Sequence, residues 1–285
     1  MFKFVKGFTL LSFVFVMMLV FTGCGAAQKT NSDTNTSTAI PTESTPASSE
    51  QPVETVELTI SAAASMTDAL MEIQKTYESK NQNIKLNFNF GASGALQQQI
   101  EQGAPADLFL SASVKNMTAL VEKQLIETNQ QVNLLNNELV VVVPVDGKTP
   151  IENIADLTKP EVKNVAIGIP ESVPAGNYAK EALTNAKLWD GLQAKSVQAK
   201  DVRQVLQYVE TGNADAGFVY KTDALTSDKV RIAFAVDPNT YDTIQYPIGI
   251  IKATKNNKEA ENFYTYLQSQ EALDVFTKYG FKVPN

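Results

Sequence analysis

Strand-like and helix-like segments alternate along this sequence from Val56 to its C-terminal end. VELTISAA at 56–63 has the two-residue alternation of a strand, and the amphipathic run from Ser65 to about Lys80 has the spacing of a helix. Strand alternating with helix predicts a parallel α/β sheet. Ser65 followed by Asp68 approximates a capping box, so we expect this serine to cap the first helix.

The same alternation continues through the rest of the chain. NNELVVVVP at 136–144 is short and rich in β-branched residues, which predicts one fully buried strand. Three later segments are expected to be helical: the run from about Asn177, residues 202–210, and the run from Lys258 almost to Phe281. The 233 residues from 53 to 285 are enough for two α/β lobes with ligand-facing turns between them.

The N-terminal segment has the features of a secretory signal. Lys3 and Lys6 precede sixteen apolar or neutral residues at 7–22. Because a membrane-spanning helix needs roughly 20 residues, cleavage is favoured over a permanent anchor. We therefore expect residues 1–23 to be a signal peptide.

The residues around the single cysteine indicate a lipid anchor. FTGC at 21–24 resembles a bacterial lipobox, which implies that Cys24 becomes the lipidated first residue of the mature chain. The alternative is that Cys24 is only a small apolar residue at the end of a signal. Residues 24–52 continue as a Ser-, Thr- and Pro-rich stretch, which predicts a flexible linker between the membrane and a folded domain.

The composition excludes several classes of chemistry. The chain has no histidine and one cysteine, which rules out His-dependent nucleophiles, His-ligated zinc or iron sites, internal disulfides and thiolate metal clusters. With a formal net charge of −7, it also lacks the basic stripe of a nucleic-acid-binding surface. A catalytic serine at Ser93 would need G-x-S-x-G, and the segment 91–95 lacks the final glycine. We expect neither an enzyme nor a nucleic-acid-binding protein.

Five turns could carry chemistry, and all but one lie at or near a predicted helix start. They are Ser65, Ser93, residues 173–176, residues 201–202 and Tyr220. Helix starts expose unpaired N–H groups and the positive end of the helix dipole, and in open α/β sheets such turns gather where ligands bind. Together the turns would hold an oxyanion without lysine or arginine. Taken singly, each serine or aspartate could be an ordinary helix cap, and Tyr220 a core aromatic.

Seven segments carry a resemblance to a known family. They are AAASMTDA at 62–69, QIEQGAPADLFLSA at 99–112, NNELVVVVP at 136–144, VPAGNYAKEAL at 173–183, KDVR at 200–203, GFVYKTDA at 217–224 and KYGF at 278–281. Through them the chain resembles the ModA family, the molybdate-binding proteins of bacterial ABC importers. The resemblance implies a periplasmic-binding-protein-like fold of type II, with two α/β lobes and a ligand cleft between them. It implies a first lobe of residues 53–137 plus 247–285 and a second lobe of residues 138–246.

The resemblance also implies a ligand site. In the ModA family, serine hydroxyls, backbone N–H groups and a tyrosine hydroxyl hold a tetrahedral dianion, which assigns these roles to Ser65 and Ser93, to the N–H groups of Ala175 and Val202, and to Tyr220. The ligand would be molybdate or tungstate, with molybdenum present only as that oxyanion and no cofactor. Both ions are fully deprotonated and suit a site made of donors, whereas phosphate carries a proton that needs an acceptor. Sulfate or another tetrahedral oxyanion is the alternative ligand.

Partners and location follow from the same resemblance. The protein would be a lipid-anchored monomer at the outer face of the cytoplasmic membrane, and would pass its ligand to the permease and ATPase of an ABC transporter. Two other classes compete with this interpretation. A ferric-binding protein on the same scaffold needs anionic ligands, often paired tyrosines, and Tyr220 has no adjacent tyrosine. A surface adhesin on a flexible stalk would be indifferent to small anions.

Overall fold

The computed structural model describes residues 55–284. The predicted signal peptide at 1–23, the predicted linker at 24–52 and the predicted lipidation site Cys24 lie outside the described residues. Within 55–284, no helix combines the length and the apolar character needed to cross a bilayer.

Strands and helices alternate through most of the described chain. The strands are β1 (Val56–Ala63), β2 (Ile84–Gly91), β3 (Leu108–Leu110), β4 (Ile126–Asn136), β5 (Leu139–Pro144), β6 (Val165–Gly168), β7 (Ser196–Ala199), β8 (Ala216–Tyr220), β9 (Val230–Ala235) and β10 (Gln245–Ile251). The helices are α1 (Thr67–Lys80), α2 (Ser93–Glu101), α3 (Val114–Glu122), α4 (Pro174–Asn185), α5 (Trp189–Leu192), α6 (Val202–Glu210), α7 (Lys221–Ala224), α8 (Asn257–Leu267) and α9 (Gln270–Lys278).

The strands form two five-stranded sheets, one in each lobe. The first has the order β2-β1-β3-β10-β4, and the second the order β7-β6-β8-β5-β9. Strand β1 runs parallel to β2 and β3, and β6 runs parallel to β7 and β8. Strands β10 and β5, however, are antiparallel to both of their neighbours. The expectation of parallel sheets was therefore wrong for these two strands: both sheets are mixed.

The antiparallel strands mark where the chain passes between the sheets. It leaves the first sheet after β4, builds the whole second sheet, and returns through β10 to lie between β3 and β4. A strand that enters a sheet from the other lobe is not bound by the crossover geometry of a βαβ unit, so it can run antiparallel. The lobe boundaries given above, at 137/138 and 246/247, remain predictions.

The predicted single strand at 136–144 is in fact interrupted. Strand β4 ends at Asn136 and β5 begins at Leu139, so the interruption lies at the passage between the sheets. The side chain of Asn137 accepts a hydrogen bond from the Glu138 N–H at 2.9 Å, which takes this residue out of the strand ladder. The predicted burial of the valine run is confirmed, since Val140 to Val143 are at most 2% exposed.

Two helix boundaries also differ from the prediction. Helix α4 begins at Pro174, three residues before the expected start at Asn177, because proline is well suited to the first position of a helix. The C-terminal helical run is divided after Leu267, and Ser269 caps the second part by accepting a hydrogen bond from the Ala272 N–H.

Candidate functional site

The five residues singled out in the sequence line one small cavity between the lobes. Ser65, Ser93, Ala175, Val202 and Tyr220 all border it, and its other walls are alanine, glycine, valine and proline. Its volume is about 10 Å³, room for the centre of one water-sized sphere. Such a cavity suits a small ligand, and no charged side chain lines it.

The first lobe contributes the two serines from neighbouring strand ends. Strands β1 and β2 are parallel and in register, with Ala63 opposite Gly91, so the turns that follow them lie side by side. Ser65 lies in the short 3-10 turn after β1, and Ser93 is the first residue of α2 after β2. Their exposed fractions are 3% and 1%.

Neither serine is a helix cap. The N-cap of α1 is Met66 and that of α2 is Ala92, and no side chain caps either helix, so the capping box expected for Ser65 is wrong. Ser65 lies too early in the chain for that role because the 3-10 turn separates it from α1. Both hydroxyls instead contact residues in or next to strands of the first sheet. Ser65 Oγ lies 2.9 Å from the Tyr246 hydroxyl oxygen, and Ser93 Oγ accepts a hydrogen bond from the Ala112 N–H at 2.9 Å.

The second lobe contributes backbone N–H groups from two helix starts. Ala175 is the second residue of α4, and Val202 is the first residue of α6. N–H groups in the first turn of a helix have no acceptor within that helix, so both are available to a ligand. Asp201 caps α6 by accepting the Gln204 N–H at 2.8 Å, which leaves the Val202 N–H unused by the cap.

Close packing of two glycines fixes the start of α4. A Cβ atom added to Gly176 would lie 1.9 Å from the carbonyl oxygen of Gly168, the last residue of β6. Only glycine lets the first turn of α4 approach the strand end this closely. This contact therefore sets the position of the Ala175 N–H at the cavity.

Tyr220 supplies a hydroxyl group that is unpaired within the described part of the chain. It is the last residue of β8 and is 1% exposed, and its hydroxyl makes no hydrogen bond among the described residues. Burial raises the pKa of Tyr220 well above its ordinary value, so the hydroxyl stays protonated and can donate. Because buried polar groups are nearly always paired, an unpaired hydroxyl at a cavity is a candidate for contact with a ligand.

Charges near the cavity are paired with each other. Arg203 follows Val202, and its Nη2 lies 2.5 Å from Asp68 Oδ2 of the first lobe. Its Nε lies 2.7 Å from Oδ1 of the fully buried Asp223, which also accepts the Tyr220 N–H at 3.2 Å. Burial raises the pKa of Asp223 to about 6, and the Arg203 guanidinium limits that rise. Arg203 is thus held by two carboxylates, Lys221 beside Tyr220 is paired with Glu138 at 3.1 Å, and the donors that face the cavity are uncharged.

A second tyrosine, Tyr246, lies beside Tyr220, and the sequence analysis did not predict this neighbour. The rings of Tyr220 and Tyr246 meet edge to face, with centroids 5.7 Å apart. Ferric sites often use paired tyrosines as phenolates. Here burial raises the pKa of both hydroxyls well above the ordinary value, which opposes phenolate formation. Among residues 55–284 there is also no group of three acidic, histidine or cysteine side chains suited to a metal ion.

Sequence reasoning also missed Asn137, Arg203 and Asp223, whose side chains surround the predicted residues. Arg203 and Asp223 lie within the quoted segments KDVR and GFVYKTDA, one residue after Val202 and three residues after Tyr220, and this position is the signal that could have drawn attention to them. Asn137 likewise lies within the quoted segment NNELVVVVP, whereas Tyr246 lies in none of the quoted segments and is 181 positions from Ser65.

Comparison with known proteins identifies the relatives of this chain. Residues 58–282 match the family described as "Bacterial extracellular solute-binding protein". The "Putative ABC transporter substrate-binding lipoprotein YvgL" of Bacillus subtilis (strain 168) is 55% identical over 226 residues, which covers 79% of this chain and 86% of that protein. The molybdate-binding protein ModA of Haemophilus influenzae is 38% identical over 231 residues, covering 79% and 89%.

A solved structure agrees with these matches. It is described as "substrate binding domain of putative molybdenum ABC transporter from Clostridium difficile" and is 45% identical in sequence. The alignment has a TM-score of 0.62 and covers 80% of this chain and 99% of the other. The fold and the family are therefore shared with extracellular solute-binding proteins.

Proposed function

The chain belongs to the family of bacterial extracellular solute-binding proteins, and we propose that it captures molybdate and delivers it to an ABC importer. Members of this family bind solutes and are not enzymes. Molybdate is the ligand that the relative from Haemophilus influenzae carries in its name. The oxyanion is then the transported ligand and not a cofactor.

One observation carries the proposal: the unpaired Tyr220 hydroxyl borders a buried cavity whose other polar side chains are Ser65 and Ser93. The N–H groups of Ala175 and Val202 border the same cavity. All five groups are hydrogen-bond donors, or can act as donors, and none carries a charge. A cavity with only neutral donors favours a ligand whose atoms only accept.

Molybdate and tungstate meet that requirement. Each is a tetrahedral dianion without a proton at neutral pH, so every oxygen accepts. Hydrogen bonds to a charged group contribute roughly 1.5 to 3 kcal/mol each, so five of them support micromolar or tighter binding after the costs of association and closure. Hydrogen phosphate would direct a proton at the cavity, which offers no carboxylate to accept it.

Sulfate shares the charge and the absence of a proton, so it differs from molybdate mainly in size. The names of the relatives favour molybdate. Tungstate is nearly the same size as molybdate, and we propose that it binds equally. Organic solutes are disfavoured by the small volume of the cavity.

The proposed location is the outer face of the cytoplasmic membrane, through a lipid on Cys24. The lipobox-like FTGC segment and the name of the Bacillus subtilis relative support this. The protein would act as a monomer and present its ligand to a permease whose ATPase drives import. Metabolic labelling with palmitate should mark the wild-type protein and not a Cys24→Ala variant; equal labelling of both would contradict the anchor.

Calorimetry tests the ligand and the site together. The purified protein is titrated in parallel with molybdate, tungstate, sulfate and phosphate, and we expect tight binding of the first two and much weaker binding of sulfate and phosphate. Ser65→Ala and Ser93→Ala should each weaken molybdate binding about tenfold or more, because an anion oxygen loses a buried donor. Ser269→Ala is the matched control, since Ser269 caps α9 and does not line the cavity. Unchanged affinity in both cavity variants would remove the site, and preference for sulfate would change the ligand.

A further inference from the structure

Tyr246 connects the Ser65 hydroxyl to the passage between the sheets. Its hydroxyl oxygen lies 2.9 Å from Ser65 Oγ and accepts a hydrogen bond from Asn137 Nδ2 at 3.2 Å. Tyr246 lies in β10 and is fully buried, and Asn137 lies between β4 and β5. All three residues are buried, so these hydrogen bonds are largely shielded from bulk water.

The Asn137 amide has one possible orientation. Its oxygen accepts the Glu138 N–H at 2.9 Å, so its nitrogen faces the other way and donates to Tyr246 and to Thr222 Oγ1 at 3.0 Å. An amide nitrogen cannot accept. The Tyr246 oxygen is therefore an acceptor toward Asn137, and among the hydrogen bonds of residues 55–284 the remaining partner of its single proton is Ser65.

A bound oxyanion completes the order of donors. Ser65 has one proton, and an unprotonated anion oxygen can only accept it. The Ser65 oxygen must then accept from Tyr246, which gives one direction throughout: Asn137 donates to Tyr246, Tyr246 donates to Ser65, and Ser65 donates to the ligand. If Ser65 instead received a proton from the ligand, its own proton would turn toward Tyr246 and the buried Tyr246 proton would lose its acceptor.

Ser93 is held in the same way by a different group. Its oxygen accepts the Ala112 N–H at 2.9 Å, so its proton is also free for the cavity. The donor to Ser93 is backbone, which a substitution does not remove. The donor to Ser65 is a side chain, so the effect of this arrangement can be tested at Ser65 alone.

We propose that Tyr246 is a positioning residue that fixes Ser65 as a donor, and that it thereby selects unprotonated oxyanions over protonated ones. The proposal rests on the molybdate site described above and adds a group that does not touch the ligand. A Ser65 hydroxyl fixed as a donor would distinguish sulfate, which carries no proton, from hydrogen phosphate, which carries one, although the two tetrahedral anions are similar in size. Discrimination between sulfate and molybdate, which differ in size, is left to the cavity walls.

Tyr246→Phe tests this with little change in packing. The ring meets Tyr220 and Phe281 edge to face, at centroid distances of 5.7 and 5.2 Å, and phenylalanine keeps both contacts. Calorimetry on the full-length protein should give a molybdate Kd about tenfold higher than wild type. Competition against molybdate should also show that phosphate binding, relative to sulfate, rises about fivefold or more. An unchanged phosphate-to-sulfate ratio would overturn the proposal.

A double-mutant cycle separates positioning from a general structural effect. In the Ser65→Ala background there is no hydroxyl to orient, so adding Tyr246→Phe should leave the molybdate Kd unchanged. Equal losses in both backgrounds would overturn the proposal. Tyr241→Phe is the matched control, because the Tyr241 hydroxyl accepts the Leu139 N–H at 3.3 Å in the same region and does not contact Ser65. Failure of the wild-type protein to bind molybdate would refute the proposed function itself. The same titrations distinguish that outcome from a failure of the Tyr246 proposal alone, in which the wild-type protein still binds molybdate.

Discussion

Replacing Gly94 with alanine should separate ligand binding from folding stability. Gly94 is the second residue of α2 in the first lobe, and its N–H donates to the Ser172 carbonyl of the second lobe at 3.0 Å. A Cβ atom at this position would lie 2.6 Å from that carbonyl oxygen and 2.9 Å from the Ser172 Cα. Both atoms are backbone, so the conflict cannot be relieved by rotating a side chain.

The size of the effect follows from this distance. The Cβ must move about 0.8 Å away, from 2.6 Å to the 3.4 Å at which ordinary contact begins. A hydrogen bond of about 2.9 Å across the cavity would then be stretched beyond about 3.5 Å, where it is lost. Losing two charge-assisted bonds costs at least about 3 kcal/mol, so the molybdate Kd should rise more than about 100-fold.

The free energy of unfolding of Gly94→Ala should rise or stay unchanged, in contrast to the loss of binding. Alanine is favoured over glycine by up to about 1 kcal/mol within a helix, and the conflict disappears when the lobes separate. Titration calorimetry measures the loss of binding, and denaturant unfolding without ligand measures stability. Gly191→Ala is the control, because Gly191 is also helical and has no other atom within 4 Å of an added Cβ. Wild-type affinity in Gly94→Ala would refute the reasoning, and a joint loss of binding and stability would locate the conflict inside one lobe.

Three further changes test other contacts around the cavity. Tyr220→Phe removes a buried hydroxyl that has no partner in the described part of the chain. Calorimetry should show a molybdate affinity about tenfold lower than wild type, because the anion loses a donor. The free energy of unfolding of the ligand-free protein should not fall, because no hydrogen bond of that state is lost. Asp68→Asn removes an ion pair with Arg203 that joins the lobes. Because both side chains are partly exposed, the molybdate Kd should rise at most about fivefold. High salt screens such a pair, so it should remove the difference in Kd between the variant and wild type. The pKa of Asp223 is raised from 3.8 to about 6 by burial, so the stability it contributes is complete below pH 3.8 and is lost as the pH rises through about 6. Denaturant titrations should therefore show a gain in the free energy of unfolding from about pH 7 to about pH 5 that Asp223→Asn lacks.

Each of these expectations has an opposite result that contradicts it. A less stable Tyr220→Phe protein would mean that the hydroxyl is paired in the ligand-free state. A salt-independent loss in Asp68→Asn would assign the effect to the fold of α1. An equal change in the free energy of unfolding of wild type and Asp223→Asn between about pH 7 and about pH 5 would mean that another group controls the titration.

Local sequence patterns predicted the positions of most elements and singled out the five turns, and the family resemblance then assigned Ala175 and Val202 within two of them. The reason is geometric: the turns after parallel strands open at one edge of a sheet, so Ser65 after β1 and Ser93 after β2 had to be neighbours. The contacts that these residues make were harder to predict from the sequence. Ser65 follows a strand and precedes a helix, as a cap does, and only the extra 3-10 turn removes it from the cap position.

Long-range pairing accounts for what the sequence did not predict. Ser65 and Tyr246 are 181 positions apart, and they meet only because β10 returns to the first sheet and pairs with β3 and β4. That return cannot be inferred from alternation, which describes neighbours along the chain. The same limitation produced the expectation of parallel sheets, since β5 and β10 are the strands whose neighbours come from distant segments.

The division of the donors between lobes connects binding to closure. On the proposed site, Ser65 and Ser93 belong to the first lobe, and Ala175, Val202 and Tyr220 belong to the second. Neither set alone has enough donors for four anion oxygens, so an open form must bind weakly and the ligand favours the closed one. Because the donors are neutral and Arg203 keeps its pairing with Asp223 of the same lobe when its contact with Asp68 opens, reopening leaves no unpaired cation at Arg203 to retain the anion. The same arrangement that makes closure depend on the ligand therefore also makes release depend on separation of the lobes.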